Sequence, residues 1–416
     1  MPFAAAQPPV PEGARERVAD PERPGRVTLL ELFFDLAYVV ALALVSAELF
    51  QSVSRHDETT HGLVPAISWH QVLHAPILLM ALWWVWAITT TTANLNAPQG
   101  QPVKLLLPAA MAGVLLMATA VPHAFDNRGL TFALGYVAIH LVRGAILIYT
   151  TRHDAPVCTR ELRVTTWFTV SGAFWIAGGL VGDGKREACW LIALAIDYSG
   201  LRLAYPVPGL GPVPLAQRAV TAEHLSERYQ QFFTIALGDC VLVIGTLFSS
   251  AHSQRQDLTA FTIAFLTTVL MWRVYVHRSG ALLPVAIRMA ANPSRFLHTA
   301  PYTHLLLVAG VVTTAAGFDL ILHNPAGRTP PGWVAVLLGG PAIFLVGRAV
   351  FEYEVFSRVS SSRPGGLLVL LALAPWTFFL PPVVTAAAAM LVLAGVAVAD
   401  TRRSWGRPPE QPAPPA

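Results

Sequence analysis

The sequence predicts an all-α polytopic membrane protein with about twelve transmembrane helices, arranged as two parallel six-helix repeats. Composition, a series of long apolar stretches and a likeness between the two halves support this prediction. Of the 416 residues, 54% are hydrophobic and only 12% are charged, whereas soluble domains contain about 25% charged residues. The pI near 9.1 reflects Lys and Arg spread over many short loops, so nucleic acid is not an expected partner.

Twelve apolar stretches recur along the chain. A stretch of about 20 apolar residues is long enough to cross the bilayer as a helix, and a backbone in hydrocarbon must form its hydrogen bonds internally. The predicted spans are 28–50, 70–92, 103–122, 130–150, 164–182, 187–204, 226–250, 258–277, 302–322, 332–354, 365–382 and 384–400. Two of them, 187–204 and 384–400, are short and are compatible with tilted or partly interfacial helices.

The loop charges predict an orientation. The tails and the even-numbered loops contain 18 Lys and Arg residues, and the odd-numbered loops contain 6. The positive-inside rule therefore places both termini in the cytoplasm. Residues 1–25 and 401–416 are rich in Pro and Arg, which predicts flexible cytoplasmic tails. The first of these tails lacks the apolar core of a cleavable signal peptide.

The two halves of the chain resemble each other. The segment 134–142 matches 338–346, and Asp35 falls opposite Asp239 at the same offset of 204. We therefore predict a first repeat over 26–204, a connector over 205–225 and a second repeat over 226–400. Because six is an even number, the repeats would share one orientation and be related by an axis along the membrane normal.

The first span carries two acidic residues. Glu31 and Asp35 are four residues apart, so they lie on one face of the helix, which Tyr38 continues. A charged residue at the centre of a bilayer costs about 2.5–3.5 kcal/mol on insertion scales, and such residues usually face the protein interior or a wet cavity. This face is therefore predicted to point away from lipid, either to anchor the bundle or to line a path.

The same stretch resembles a known family. Residues 31–36 read E-L-F-F-D-L, which resembles the signature of the bacterial low temperature requirement protein A family. Weaker likenesses follow at 83–86, at 227–229, at His304 and at 237–239, where Asp239 replaces the glutamate usual in the family. The resemblance spans about residues 26–400 and implies a multi-pass protein of the bacterial plasma (inner) membrane. It implies no settled biochemical activity.

Further ionisable residues lie within the predicted spans, and acids and bases are both present. We predict that Arg273 pairs with Asp239, and that Arg143 pairs with Asp35 or Glu31. Either these charges only hold the bundle together, or acids exchange partners or protons along a path. The predicted path residues are Glu31, Asp35, Tyr38, Asp239, Arg273 and His304. The predicted ion-pair residues are Arg143, Arg228, Glu227, Asp319 and Arg348.

No pattern in the sequence predicts a metal or cofactor. His74, His140 and His304 are isolated from one another, and the three cysteines are scattered, so neither set has the spacing of metal ligands. A histidine alone on an apolar helix is usually a packing residue, although the family resemblance gives His304 more weight. The tryptophans at 83, 84 and 86 are predicted to form an interfacial belt, with an aromatic substrate platform as the alternative.

These patterns favour a secondary transporter of a small solute or ion, coupled to protons through buried carboxylates. An ion channel is the nearest alternative. A membrane-embedded lipid-modifying enzyme is less favoured because the sequence shows no nucleophile–base pair and no metal set, so we do not expect an enzyme. A structural or signalling membrane protein is the remaining alternative. The expected partners are membrane lipids and a small solute or ion, and the sequence leaves the oligomeric state open.

Overall fold

The computed structural model describes residues 27–58, 69–96, 100–182, 184–209, 221–250, 255–405 and 410–415. The described part of the chain is helical, as the apolar stretches predict. Its α-helices are α1 (Leu29–Glu58), α2 (Trp69–Leu95), α3 (Gln101–Ala120), α4 (Gly129–Thr150), α5 (Ala155–Leu180), α6 (Lys185–Leu203), α7 (Ala222–Ser250), α8 (Arg255–Tyr275), α9 (Ala281–Met289), α10 (Arg295–His323), α11 (Pro331–Phe356), α12 (Ser362–Thr377) and α13 (Pro382–Ser404).

Each predicted span coincides with one long helix. Within the described residues, eight helices are long and apolar enough to cross a membrane, and they belong to α1–α4, α8, α10, α11 and α13. The protein is therefore an all-α polytopic membrane protein, and a number of spans above eight stays a prediction. The nine-residue helix α9 was not predicted, because it is too short to read as a span.

The predicted boundaries shift at two places. Helix α7 begins at Ala222 and α13 continues to Ser404, so the predicted connector and the last predicted tail are both shorter than the composition indicates. Boundaries of this kind are the least certain part of a sequence-based assignment. The predicted tail 1–25 lies outside the described residues.

The helices pack in two similar groups. In the first half, α1 contacts α2 and α3, and α3, α4, α5 and α6 contact one another in chain order. In the second half, α7 contacts α8 and α10, and α10, α11, α12 and α13 contact one another in chain order. The halves meet mainly through α1, which packs on α7 and α10. The α1–α7 contact is therefore part of the interface between the two halves.

A buried arginine stabilises the break between α8 and α9. The chain there forms a short π-helix at Val276–Gly280, which changes the regular hydrogen bonding of the preceding turn. Arg348 of α11 donates hydrogen bonds to the carbonyl oxygens of Val274 and His277, both at 2.8 Å. Gln230 of α7 donates to the carbonyl oxygen of Gly280 at 2.7 Å. These bonds satisfy backbone carbonyl oxygens that would be paired within a regular helix.

Candidate functional site

Four ionisable side chains meet where α1 packs against α7. They are Glu31 and Asp35 of α1 and His224 and Arg228 of α7, which we call the α1–α7 cluster. Each of the four is at most 1% exposed. Charged groups buried to this degree are stable only when they are paired and hydrogen-bonded. The partners of each side chain therefore determine the chemistry that the cluster supports.

Asp35 forms a two-point ion pair with Arg228. Arg228 Nη1 lies 2.6 Å from Asp35 Oδ2, and Arg228 Nη2 lies 2.7 Å from Asp35 Oδ1. The indole nitrogen of Trp86 on α2 donates a third hydrogen bond to Asp35 Oδ1 at 2.9 Å. The guanidinium carbon also lies 5.5 Å from the centre of the Trp86 ring, within cation–π range. This carboxylate is therefore held by charge-assisted bonds from two helices.

Glu31 belongs to a capping box at the start of α1. The backbone N–H and the hydroxyl of Thr28 donate to Glu31 Oε2 at 2.9 and 3.0 Å, and the backbone N–H of Glu31 donates back to Thr28 Oγ1 at 3.2 Å. This reciprocal pattern satisfies backbone donors that have no partner at a helix N-terminus. The other oxygen, Oε1, lies 2.9 Å from His224 Nε2 and 3.7 Å from Arg228 Nε.

Asn94 of α2 fixes the tautomer of His224. The Asn94 amide is oriented by the backbone of Thr221, since its nitrogen donates to the Thr221 carbonyl at 3.0 Å and its oxygen accepts from the Thr221 N–H at 3.4 Å. The amide nitrogen also lies 3.1 Å from His224 Nδ1. His224 Nδ1 therefore accepts, and its Nε2 carries the hydrogen that bonds Glu31. In this tautomer the cluster holds two carboxylates and one guanidinium.

Substitution of Thr28 by alanine is expected to destabilise the protein by about 1 kcal/mol, because it removes an N-cap side chain and one donor to Glu31. Thr28→Ser is the matched control, since serine retains the hydroxyl group. Thermal unfolding of both purified variants in detergent would measure the difference. Equal unfolding temperatures for the alanine and serine variants would contradict a capping role for Thr28.

The contacts between α1 and α7 follow one register. Glu31 contacts His224, Asp35 contacts Arg228, and Ser46 contacts Asp239. Each of these pairs is separated by 193 residues in sequence. Because the partner number rises with the residue number at every contact, the two helices run in the same direction.

Asp239 occupies a different environment from Asp35. Its side chain is fully buried, and Ser46 donates a hydrogen bond to its Oδ1 at 3.1 Å. Its Oδ2 has no hydrogen-bond partner, and within the described residues no cation pairs with it. The half-buried Asp319 of α10 lies close enough to interact electrostatically with this carboxyl group. Within the described residues, the groups recorded next to this acid are therefore neutral or acidic.

The predicted partner of Asp239 was wrong. The register places Asp239 opposite Ser46, eleven residues beyond Asp35, or about 16 Å along a helix that rises about 1.5 Å per residue. Arg273 is exposed and donates to Thr401 Oγ1 at 2.8 Å, so it is not the partner of Asp239.

Arg143 also has a different partner from the predicted one. Its Nη1 lies 3.0 Å from Oε2 of Glu161 on α5, the helix that follows α4 and packs against it. The arginine therefore forms its ion pair with α5 and not with α1. Asp319 was predicted to form an ion pair, and within the described residues the structure records none for it.

The remaining predicted residues are dispersed. Tyr38 donates to the Leu82 carbonyl at 3.2 Å, and Glu227 accepts from the Val27 N–H at 3.3 Å. His304 bonds the Ala300 carbonyl through Nδ1 at 3.1 Å, and its Nε2 lies 3.3 Å from the Tyr275 hydroxyl. Among the residues that the structure describes, no three His, Cys, Asp or Glu side chains are grouped to hold a metal ion.

The tryptophans of α2 do not form an interfacial belt. Trp83, Trp84 and Trp86 are at most 2% exposed, and they lie in the middle of a helix that continues to Leu95. Their polar N–H groups are compatible with burial when they find acceptors, and Trp83 donates to the Pro301 carbonyl at 2.8 Å. The prediction failed because residues 83–86 lie six or more residues inside the predicted span 70–92 and not at its end.

Sequence reasoning missed His224 and Asn94. The predicted span began at residue 226, which excluded the first turn of α7 and with it His224. A signal was present, because His224 and Arg228 are four residues apart, as Glu31 and Asp35 are. Two basic side chains at this spacing can face two acidic ones when the helices pack in parallel.

Comparisons with known proteins identify the family. The family model of the bacterial low temperature requirement A protein (LtrA) matches residues 26–398. An uncharacterized protein, RA0937 of Rhizobium meliloti (strain 1021), is 35% identical over 333 residues, which cover 79% of this chain and 77% of the relative. No solved structure matches the chain. The family match covers most of the chain, and the protein belongs to the bacterial low temperature requirement A family.

Proposed function

We propose that the protein is a secondary transporter of a small solute or ion, coupled to protons through a buried carboxyl group. The observation that carries the proposal is Asp239, a fully buried acid whose Oδ2 has no hydrogen-bond partner among the described residues. A carboxylate without a cation partner is costly to bury, so the carboxyl group at this position is expected to carry a proton in this conformation. Intramembrane acids of this kind are typical of proton relays.

The α1–α7 cluster supplies a second element of the proposed mechanism. Arg228 bonds Asp35 and also lies 3.7 Å from Glu31 Oε1, so a small movement of α7 relative to α1 would change which acid it neutralises. The same movement would displace Ser46 from Asp239, since both contacts lie on the same pair of helices. Release of the proton from Asp239 is in this way linked to the relative position of the two helices.

The proposal includes the two six-helix repeats and their orientation. The parallel direction of α1 and α7 supports repeats of the same orientation, and so does the similar order of contacts in the two groups of helices. The excess of positive charge in alternate loops supports a cytoplasmic position for both termini, with the protein in the inner membrane. On this proposal the partners are membrane lipids and a small solute or ion, and the protein is not an enzyme.

The test is proton flux in proteoliposomes that contain a pH-sensitive dye. The Asp239→Asn variant keeps the shape of a protonated aspartate and cannot release the proton, so flux is expected to fall to the level of empty liposomes. The unfolding temperature is expected to change little, because no ion pair is lost. The matched control is Asp126→Asn, which changes an aspartate whose side chain is 75% exposed and is expected to retain flux.

A purely structural role is the second candidate, and the paired charges favour it. Asp35 with Arg228, Glu161 with Arg143, and Asp400 with Arg363 all form close ion pairs within the described residues. If wild-type protein and Asp239→Asn show equally low flux and the variant is less stable, the acids serve the packing of the bundle. Flux that is high in both proteins would exclude Asp239 from any proton path.

A further inference from the structure

A second polar cluster lies in the first half of the protein, away from α1 and α7. Glu161 of α5 accepts hydrogen bonds from two arginines, Arg143 of α4 at 3.0 Å and Arg160 of α5 at 2.7 Å. The side chains of Arg143 and Glu161 are only 3% and 5% exposed, and that of Arg160 is 12% exposed. Within the described residues, these two guanidinium groups and this carboxylate leave one positive charge in excess where they meet. The next acid within electrostatic reach of Tyr205 is Asp197, which is bonded by the neutral donors Tyr136 and Trp175.

One edge of the Arg143 guanidinium group has no partner. Nη1 is bonded to Glu161, whereas Nε and Nη2 have no hydrogen-bond partner in the described structure. These two nitrogens share one edge of the planar group, and such an edge can bind two oxygens of a carboxylate or phosphate side by side. Buried donors are normally satisfied, so this free edge requires an explanation.

Arg143 borders a small cavity. The cavity has a volume of about 40 Å³, and its lining includes Arg143, Arg160, Glu161, Tyr205 and the two threonines Thr91 and Thr92 of α2. A cavity needs roughly 10–15 Å³ to hold one water molecule. This cavity therefore accommodates a small ion with one or two waters. It lies between the C-terminal parts of α2, α4 and α6 and the N-terminal part of α5, and therefore at one end of the bundle.

Tyr205 is held at this cavity by a strained backbone. Its φ angle is +49° and that of Ala204 is +57°, a region that bulky residues rarely adopt. A Cβ atom at position 200 would lie 2.8 Å from Tyr205 Cε1, so Gly200 is required for the ring to fold back against α6. Its hydroxyl group is buried and has no hydrogen-bond partner among the described residues. Strain of this kind persists where the surroundings impose it, commonly at functional sites.

We propose that this cavity is a binding site for a small oxyanion, either inorganic phosphate or the phosphate group of an anionic lipid. The excess positive charge attracts an anion, the free edge of Arg143 binds two of its oxygens, and the Tyr205 hydroxyl donates to a third. The site does not depend on the proposed transport, because its charged residues lie on α4 and α5 and not on α1 or α7.

The experiment measures binding of radiolabelled inorganic phosphate to the purified full-length protein in detergent. Arg143→Lys keeps the charge opposite Glu161 and removes the two-point edge, and loss of one charge-assisted hydrogen bond weakens binding by about tenfold or more. Tyr205→Phe removes only the hydroxyl group and is expected to weaken binding several-fold, which keeps the test decisive if the arginine variant does not fold. The control is Arg152→Gln, an exposed arginine just beyond α4, which is expected to bind like wild type.

A second arm identifies the source of the phosphate group. The unfolding temperature is measured in nanodiscs of phosphatidylglycerol and of phosphatidylcholine for the same variants. Phosphate binding that depends on Arg143 and Tyr205 assigns the site to the free ion. Stabilisation by phosphatidylglycerol alone, lost in Arg143→Lys and reduced in Tyr205→Phe, assigns it to the lipid. If neither ligand distinguishes wild type from these variants, the proposal is overturned.

Discussion

Replacement of Arg228 by methionine is expected to destabilise the folded protein by about 3–5 kcal/mol. Methionine has a similar length but leaves Asp35 as a buried carboxylate without its cation, and removal of one partner of a buried ion pair has a penalty of this size. The effect is large because Asp35 is fully buried and Trp86 is then its main remaining donor. Chemical unfolding of the purified protein in mild detergent would measure the loss.

A double variant separates the ion pair from other effects of the substitution. Arg228→Met combined with Asp35→Asn removes both charges of this pair, so much of the lost stability is expected to return, because burial of two neutral groups is often no worse than burial of an ion pair. Glu31 loses its nearby cation in both variants and keeps its bonds to Thr28 and His224. The matched control is Arg273→Met, which removes an exposed arginine bonded to Thr401 and is expected to have a much smaller effect. If the single and double variants at the cluster are equally unstable, Arg228 acts through packing and not through its charge.

The helices and one buried face could be predicted from the sequence. Long apolar stretches specify helices because the backbone has no alternative partners in hydrocarbon, and every predicted stretch coincides with a helix of the structure. The four-residue spacing of Glu31 and Asp35 predicted a face turned inward, and both residues are fully buried. These predictions succeeded because they depend only on local pattern.

The partners of the charges could not be predicted in the same way. The pairing of Asp35 with Arg228 depends on the stagger between α1 and α7, whose contacts join residues 193 apart in sequence. The internal likeness aligns the two halves at an offset of 204, but an alignment offset does not specify which residues of the two helices meet. The stagger is decided by packing between residues far apart in sequence, so a single sequence does not reveal it.

Glycines control the close packing of α10 against α11, which leads to the second large expected effect. A Cβ atom on Gly310 would lie 2.5 Å from the backbone nitrogen of Phe344, and one on Gly340 would lie 2.7 Å from that of Thr314. These atoms belong to helix backbones and cannot move aside as the end of a side chain can. Because the partner number falls as the residue number rises, the two helices pack antiparallel, with their backbones in contact.

Substitution of Gly310 by alanine is therefore expected to destabilise the protein by about 1–3 kcal/mol, the usual range for overpacking, although alanine alone favours a helix by about 1 kcal/mol. The matched control is Gly339→Ala on α11, because a Cβ atom there meets nothing within 4 Å and the same helix preference is expected to stabilise the protein. Thermal unfolding in detergent should shift the two variants in opposite directions. A stable Gly310→Ala protein would mean that α10 and α11 separate without loss, and that the close contact between them does not hold the second half of the bundle together.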